Sequence, residues 1–176
     1  MRKLILIPNL ISSLRIAVLP LFFYLFMTGN VTLCLILLTF SAATDFFDGY
    51  FARRLKVTSR LGGYYDATTD FVLVFGIFVI FSVKGYYPIW LLILISALFV
   101  QFLVTSLYAK KLYDPVGKYA GSALYIGIVL TLIFPVQAIF SFVEIAFLGF
   151  FLVSLGSRIV SLARTTIRCN PKLIHH

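Results

Sequence analysis

The residues able to do chemistry in this sequence are four aspartates: Asp45, Asp48, Asp66 and Asp70 fall within 26 positions, and the chain has only two other acidic residues, Asp114 and Glu144. Asp45 follows the apolar run VTLCLILLTFSAAT, and Asp70 precedes FVLVFGIFVIF, so both stand on segments that continue into hydrocarbon. An ionised Asp in a membrane helix costs about 2.5–3.5 kcal/mol, which makes such residues functional by default. On a helix, Asp45, Asp48, Gly49 and Ala52 are i, i+3, i+4 and i+7 and share one face. Asp66 and Asp70 are i and i+4, and with Gly62 they form a corresponding face on the next helix. The short, basic segment RRLKVTSR between them predicts antiparallel neighbours that meet at the membrane boundary. Four converging carboxylates cannot all stay ionised without compensation. Hard oxygen donors of this kind suit two divalent ions, Mg or Mn, rather than zinc, which prefers His and Cys. The small residues leave a channel by which a ligand could reach the ions. Two other readings compete. A salt-bridge network with Arg53, Arg54 and Arg60 has no need of Gly and Ala on the same face. A cation transporter would hold its site near the midplane, with broken helices and paired repeats, and the sequence shows no internal repeat.

The elements that must position these groups are membrane helices. The chain is 61% apolar and 12% charged, with a mean hydropathy of +1.05, against about 45–50% and 25% in soluble domains. That composition excludes a water-soluble enzyme, a disordered chain and a secreted disulfide scaffold. At 176 residues there is length for about one domain, so the chemistry sits among the helices. Spans of roughly 20 apolar residues are predicted at 14–28, 31–51, 64–83, 88–108, 119–136 and 138–162. The expected fold is therefore an all-α integral membrane domain of six transmembrane helices covering residues 1–176. Residues 1–13, MRKLILIPNLISS, are too short and too interrupted by Pro8 and Asn9 to span, and predict an amphipathic helix lying in the interface. A signal peptide fits less well, because Arg15 and Pro20 interrupt the apolar stretch. Cys34 and Cys169 are too few and too differently placed for a disulfide framework.

The net charge of +9 would suggest nucleic acid in a soluble chain; here it reports topology, and no nucleic-acid partner is expected. With cytoplasmic termini, fourteen of the fifteen Lys and Arg lie inside and only Lys84 outside, which fixes the orientation and turns the aspartates towards the cytoplasm. Most of these cations meet anionic headgroups, and they also surround any site that opens on that side.

The stretch DFFDGYFARRLKVTSRLGGYYDATTD holds Asp45, Asp48, Gly49, Ala52, Arg53, Gly62, Asp66 and Asp70 at the spacing of a known signature. It resembles that of the CDP-alcohol phosphotransferase family, and eight fixed identities make coincidence negligible. The six-span layout and the N-terminal IPNLISSLRI extend the likeness over most of the chain. The resemblance implies an integral membrane enzyme of phospholipid synthesis, usually a homodimer. Such an enzyme transfers the phosphatidyl-type group of a CDP-linked lipid to the hydroxyl of a polar alcohol and releases CMP. It further implies that Asp45, Asp48 and Asp66 ligate metal, and that Asp70 contacts metal and serves as general base. Gly49, Ala52 and Gly62 would admit the cytidine and pyrophosphate, and Arg53 would contact a donor phosphate. Elementary chemistry agrees: paired metals neutralise a reacting phosphoryl group and its leaving group, and an alcohol is a poor nucleophile until a carboxylate takes its proton.

The acceptor stays open. Lys110, Lys111 and Lys118, with Arg158 and Arg164 on the last helix, are candidates to hold a phosphate on it. Glycerol 3-phosphate or an inositol phosphate would use them; serine would not. The second aspartate pair reads DATTDF, where one glycerol-3-phosphate-using branch commonly reads D-P-L-A-D-K. A CDP-ethanolamine or CDP-choline type donor with a lipid acceptor belongs to generally longer relatives. Gly117 and Gly121 form a G-x-x-x-G pair expected to serve helix packing.

Overall fold

The computed structural model describes residues 17–54, 60–108 and 117–169, with side chains over 17–44, 62–104, 119 and 121–157. Every regular element among them is an α-helix: α1 (Ala17–Met27), α2 (Val31–Arg54), α3 (Arg60–Val83), α4 (Ile89–Tyr108), α5 (Gly117–Ile133) and α6 (Gln137–Cys169). The predicted interfacial helix at 1–13 lies outside the described residues. The six helices match the six predicted apolar segments to within a few residues, save at three polar ends. α2, α3 and α6 run on through Arg54, from Arg60 and to Cys169. Hydropathy falls there, but no Pro interrupts the helix, and α3 runs through Gly62 and Gly63 despite their low helix propensity.

Two helices are clearly long and apolar enough to cross a membrane, Gly62–Val83 and Gln137–Ser157, and four shorter apolar stretches accompany them. Large apolar side chains stand exposed around the bundle, among them Ile93 (66%), Ile145 (70%) and Val153 (65%). So much exposed apolar surface belongs in lipid rather than water, and the protein is membrane-associated.

The turns are written in local chemistry. α1 ends at Gly29 (φ 77°) and α3 at Gly85 (φ 79°), the left-handed conformation that glycine adopts without strain. At each, the two backbone bonds of a Schellman cap form: Gly29 N–H to Phe26 and Asn30 N–H to Leu25 at one, Gly85 N–H to Ser82 and Tyr86 N–H to Phe81 at the other. The second cap adds the usual apolar contact, with the rings of Phe81 and Tyr86 6.1 Å apart. Pro88 precedes α4, and Pro135 separates α5 from α6, where its missing N–H is harmless.

The core near these turns is aromatic. Phe22, Phe26, Phe78, Phe81, Tyr87 and Phe140 are buried, and Phe26 meets Phe81 edge-on at 5.2 Å. Tyr87 shares a hydrogen bond with the Thr131 hydroxyl (2.5 Å), and Thr131 donates onward to the Gly127 carbonyl (2.7 Å). Burial pushes the Tyr87 phenol up to about 12, with Glu144 adding to the shift against the Thr131 bond. α1 reaches α3 through a close approach: a Cβ at Gly76 would sit 2.5 Å from a methyl of Leu19. Gly76→Leu should therefore overpack this seam by about 1–3 kcal/mol, lowering Tm in detergent by roughly 3–10 °C. An unchanged melting curve would mean that α1 is free to move aside.

The backbone contacts pair α3 with α4 and α5, α6 with α4 and α5, and α4 with α5. Over Val31–Thr44, α2 packs on α5 rather than α3. The sequence predicts that α2 and α3 meet as antiparallel neighbours at the membrane boundary, where their side chains lie outside the described residues; in their described parts they face each other around a cavity.

Candidate active site

α2 and α3 carry the whole signature. Asp45, Asp48, Gly49, Ala52 and Arg53 fall in the C-terminal part of α2, where the backbone is continuously helical and the i, i+3, i+4, i+7 register expected from the sequence holds. Their side chains lie outside the described residues. Gly62, Asp66 and Asp70 stand in the first half of α3. Both aspartates are half-buried, one turn apart on the same helix. Lys118 lies in the first turn of α5, and Arg158 and Arg164 in the second half of α6, with their side chains outside the described residues; Lys110 and Lys111 lie outside them altogether.

The two threonines between the α3 aspartates are spent on the helix itself. Thr68 donates to the Tyr64 carbonyl and Thr69 to the Asp66 carbonyl, each at 2.8 Å. Hydroxyls that donate back onto their own helix have no proton left to donate into the space in front of it. On α2, Thr44 does the same with Ser41 at 2.7 Å.

Asp70 opens onto a cavity of about 580 Å³ walled by four helices: Ser41 and Ala42 of α2, Ala67 and Asp70 of α3, residues of α4, and Gly121 and Tyr125 of α5. It is the size of an ordinary small-molecule site. Tyr125 donates its hydroxyl to the Leu38 carbonyl of α2, two turns before Asp45, and so ties α5 to the acidic helix. Beside Asp70, the Phe71 ring lies flat on Phe99 of α4, with centroids 3.8 Å apart and planes within 6°. Sequence reasoning missed Tyr125, Phe71, Phe99 and the cavity, since no local spacing marks a contact between helices distant in the chain. It also expected Gly121 to pack against a helix. A Cβ there would meet nothing within 4 Å, because Gly121 lines open space.

Among the described residues no three His, Cys, Asp or Glu side chains gather, and the α2 pair lies outside that set. Asp66 and Asp70 supply the α3 half of the expected donor set: hard carboxylate oxygens one turn apart, of which Asp70 lines the cavity.

A family model described as CDP-alcohol phosphatidyltransferase matches residues 5–156. The chain is 34% identical over 129 residues to a CDP-diacylglycerol–glycerol-3-phosphate 3-phosphatidyltransferase of Pectobacterium atrosepticum, an alignment covering 71% of this chain and 70% of the relative. It is 34% identical over 131 residues to a protein of the same name in Yersinia enterocolitica, with the same coverage, and 31% identical over 105 residues to one in Blochmanniella floridana, covering 57% and 55%. No solved structure matches. The chain belongs to the CDP-alcohol phosphatidyltransferase family. It is a membrane transferase of phospholipid synthesis, moving a phosphatidyl-type group from a CDP-linked lipid alcohol to an acceptor hydroxyl with release of CMP.

Proposed function

We propose that this enzyme transfers the phosphatidyl group of CDP-diacylglycerol to glycerol 3-phosphate. It acts as one catalytic unit over residues 1–176, crossing the membrane six times, with both termini and the active site cytoplasmic and an interfacial helix at 1–13. The observation that carries this reading is Asp70, half-buried on a cavity wall one turn beyond Asp66, in a chain with every fixed position of the signature. The relatives' shared name supports the acceptor, and the fourteen-to-one distribution of cations supports the orientation. A homodimer, implied by the family resemblance, is part of the same reading.

The donor set suits two Mg or Mn ions, which Asp45, Asp48, Asp66 and Asp70 would hold; when bound, they would neutralise charge on the pyrophosphate and on the departing CMP. Asp70 takes the proton of the acceptor hydroxyl as the oxygen attacks the donor phosphorus. Gly49, Ala52 and Gly62 leave room for cytidine and pyrophosphate against the helix backbones, and Arg53 meets a donor phosphate. Lys110, Lys111, Lys118, Arg158 and Arg164 are the cations for the phosphate of the acceptor. Thr68 and Thr69 add no proton donor in front of Asp70, being bonded to their own helix.

Gly49→Leu should raise the donor KM at least tenfold by filling the cleft, with acceptor KM little changed; an unaltered donor KM would make Gly49 a packing residue only. The decisive assay measures CMP release by purified protein from CDP-diacylglycerol with glycerol 3-phosphate, serine, inositol or inositol phosphate, with and without Mg or Mn. Release with glycerol 3-phosphate alone is expected. Release with serine instead would overturn the acceptor, and ion flux in liposomes with no release would favour a transporter.

A further inference from the structure

We propose that Tyr125 of α5 is a positioning residue for the acidic helix: its bond to the Leu38 carbonyl sets the roll and height of α2, and so brings Asp45 and Asp48 into line with Asp66 and Asp70 before any ion is bound. The inference rests on the reading of the four aspartates as one metal site and adds what holds its two halves in register. Over Val31–Thr44, α5 is the one helix among α3 to α6 whose described backbone meets that of α2, and α5 also meets α3. The two aspartate-bearing helices are thus referred to each other through α5, across the cavity that Ser41 and Ala42 wall on one side and Ala67 and Asp70 on the other. Where α5 holds α2 decides where the α2 carboxylates stand.

Most of that seam has no preferred direction. Cys34 and Leu38 of α2 share one buried apolar cluster with Leu124 and Ile128 of α5, and such contacts attract without fixing an angle. Lipid is as apolar as they are, so a small roll or slide of α2 costs little hydrophobic free energy. A hydrogen bond is directional, and the one from Tyr125 reaches a single carbonyl. That carbonyl already accepts from the α2 N–H four residues on, and its second lone pair takes the phenol. Register makes the choice of carbonyl matter. Leu38 and Asp45 are i and i+7, and Asp45 is also i+4 and i+3 from the cavity-lining Ser41 and Ala42, so the side of α2 held at Leu38 is the one that leads into the signature. An ion that meets carboxylates already aligned does not have to order them.

Tyr125→Phe keeps the ring and deletes the bond. The Leu38 carbonyl retains the N–H of its own helix, so no buried group is left unpaired and the fold should hold. Tyr87→Phe is the control: it deletes a bond of the same kind, to Thr131, near the other end of α5 and away from every signature residue. Mn is titrated into each chelator-stripped protein in detergent without substrate, free Mn is followed by its EPR signal, and Tm is recorded beside it. The unaltered enzyme should bind Mn. In Tyr125→Phe the affinity should fall roughly threefold to fifteenfold, the range set by one hydrogen bond between membrane helices. In Tyr87→Phe it should stay within about twofold, whatever the change in Tm. Unchanged Mn affinity in Tyr125→Phe overturns the proposal, as does an equal loss in Tyr87→Phe, which would make the effect a general loosening of the bundle. An unaltered protein that takes up no Mn removes the reading of the aspartates as a metal site, and the proposal with it.

Discussion

Asp70→Asn should slow CMP release by about a hundredfold to ten-thousandfold, the usual contribution of a positioned general base. The amide keeps the shape of the carboxylate and one of its oxygens, so the donor should bind within a few-fold of normal. What it loses is the ability to accept the acceptor's proton. A folding defect is not expected, because Asp70 is half-buried and a neutral amide is less costly to hold there than an ionised carboxylate. Single-turnover CMP release, donor KM and Tm measured on one preparation separate these effects. Turnover within tenfold of the unaltered enzyme would remove Asp70 from the chemistry and pass the role of base to another group.

Removing divalent ions should reduce CMP release to background, and Mg or Mn should restore it. The ions would neutralise the charge that builds on the pyrophosphate and on CMP, beyond what the single Arg53 guanidinium supplies. Asp66→Ala should reproduce much of the loss, and raise the metal concentration needed for half-activity at least tenfold, by taking one ligand from the α3 pair. The ions should also stabilise the fold, since unscreened carboxylates repel one another and a ligand bound only by the folded state raises Tm. Full activity in excess chelator would sink the assignment of these aspartates, and Asp66→Ala with normal metal dependence would confine the ions to α2.

The helices were legible because each announces itself locally. An apolar run long enough for hydrocarbon, closed by Thr-Gly-Asn at 28–30 or Lys-Gly at 84–85, encodes both an element and its end, and the two Schellman caps lie at those glycines. The aspartate register was legible for the same reason: i and i+4 on one helix is a local statement. The far ends of α2 and α6 were less so, because hydropathy marks where a helix meets polar surroundings rather than where it stops. Pairing of helices was not legible. α2 lies on α5 through contacts such as Tyr125 to Leu38, 87 positions apart, and apolar surfaces of similar composition leave many pairings open to a reader of sequence. The emptiness around Gly121 belongs to the same class, for a G-x-x-x-G spacing records small size and not what stands opposite.

Tyr125 has a bearing on how such an enzyme varies. Its hydroxyl grips the backbone of α2 from a helix that contributes nothing to the eight-residue signature. In the proposed active site the setting of Asp45 and Asp48 is thus partly under the control of α5, and exchanges there would retune it while every aspartate is kept. Inheritance of the motif and divergence of rate or preference are, in this architecture, separable events.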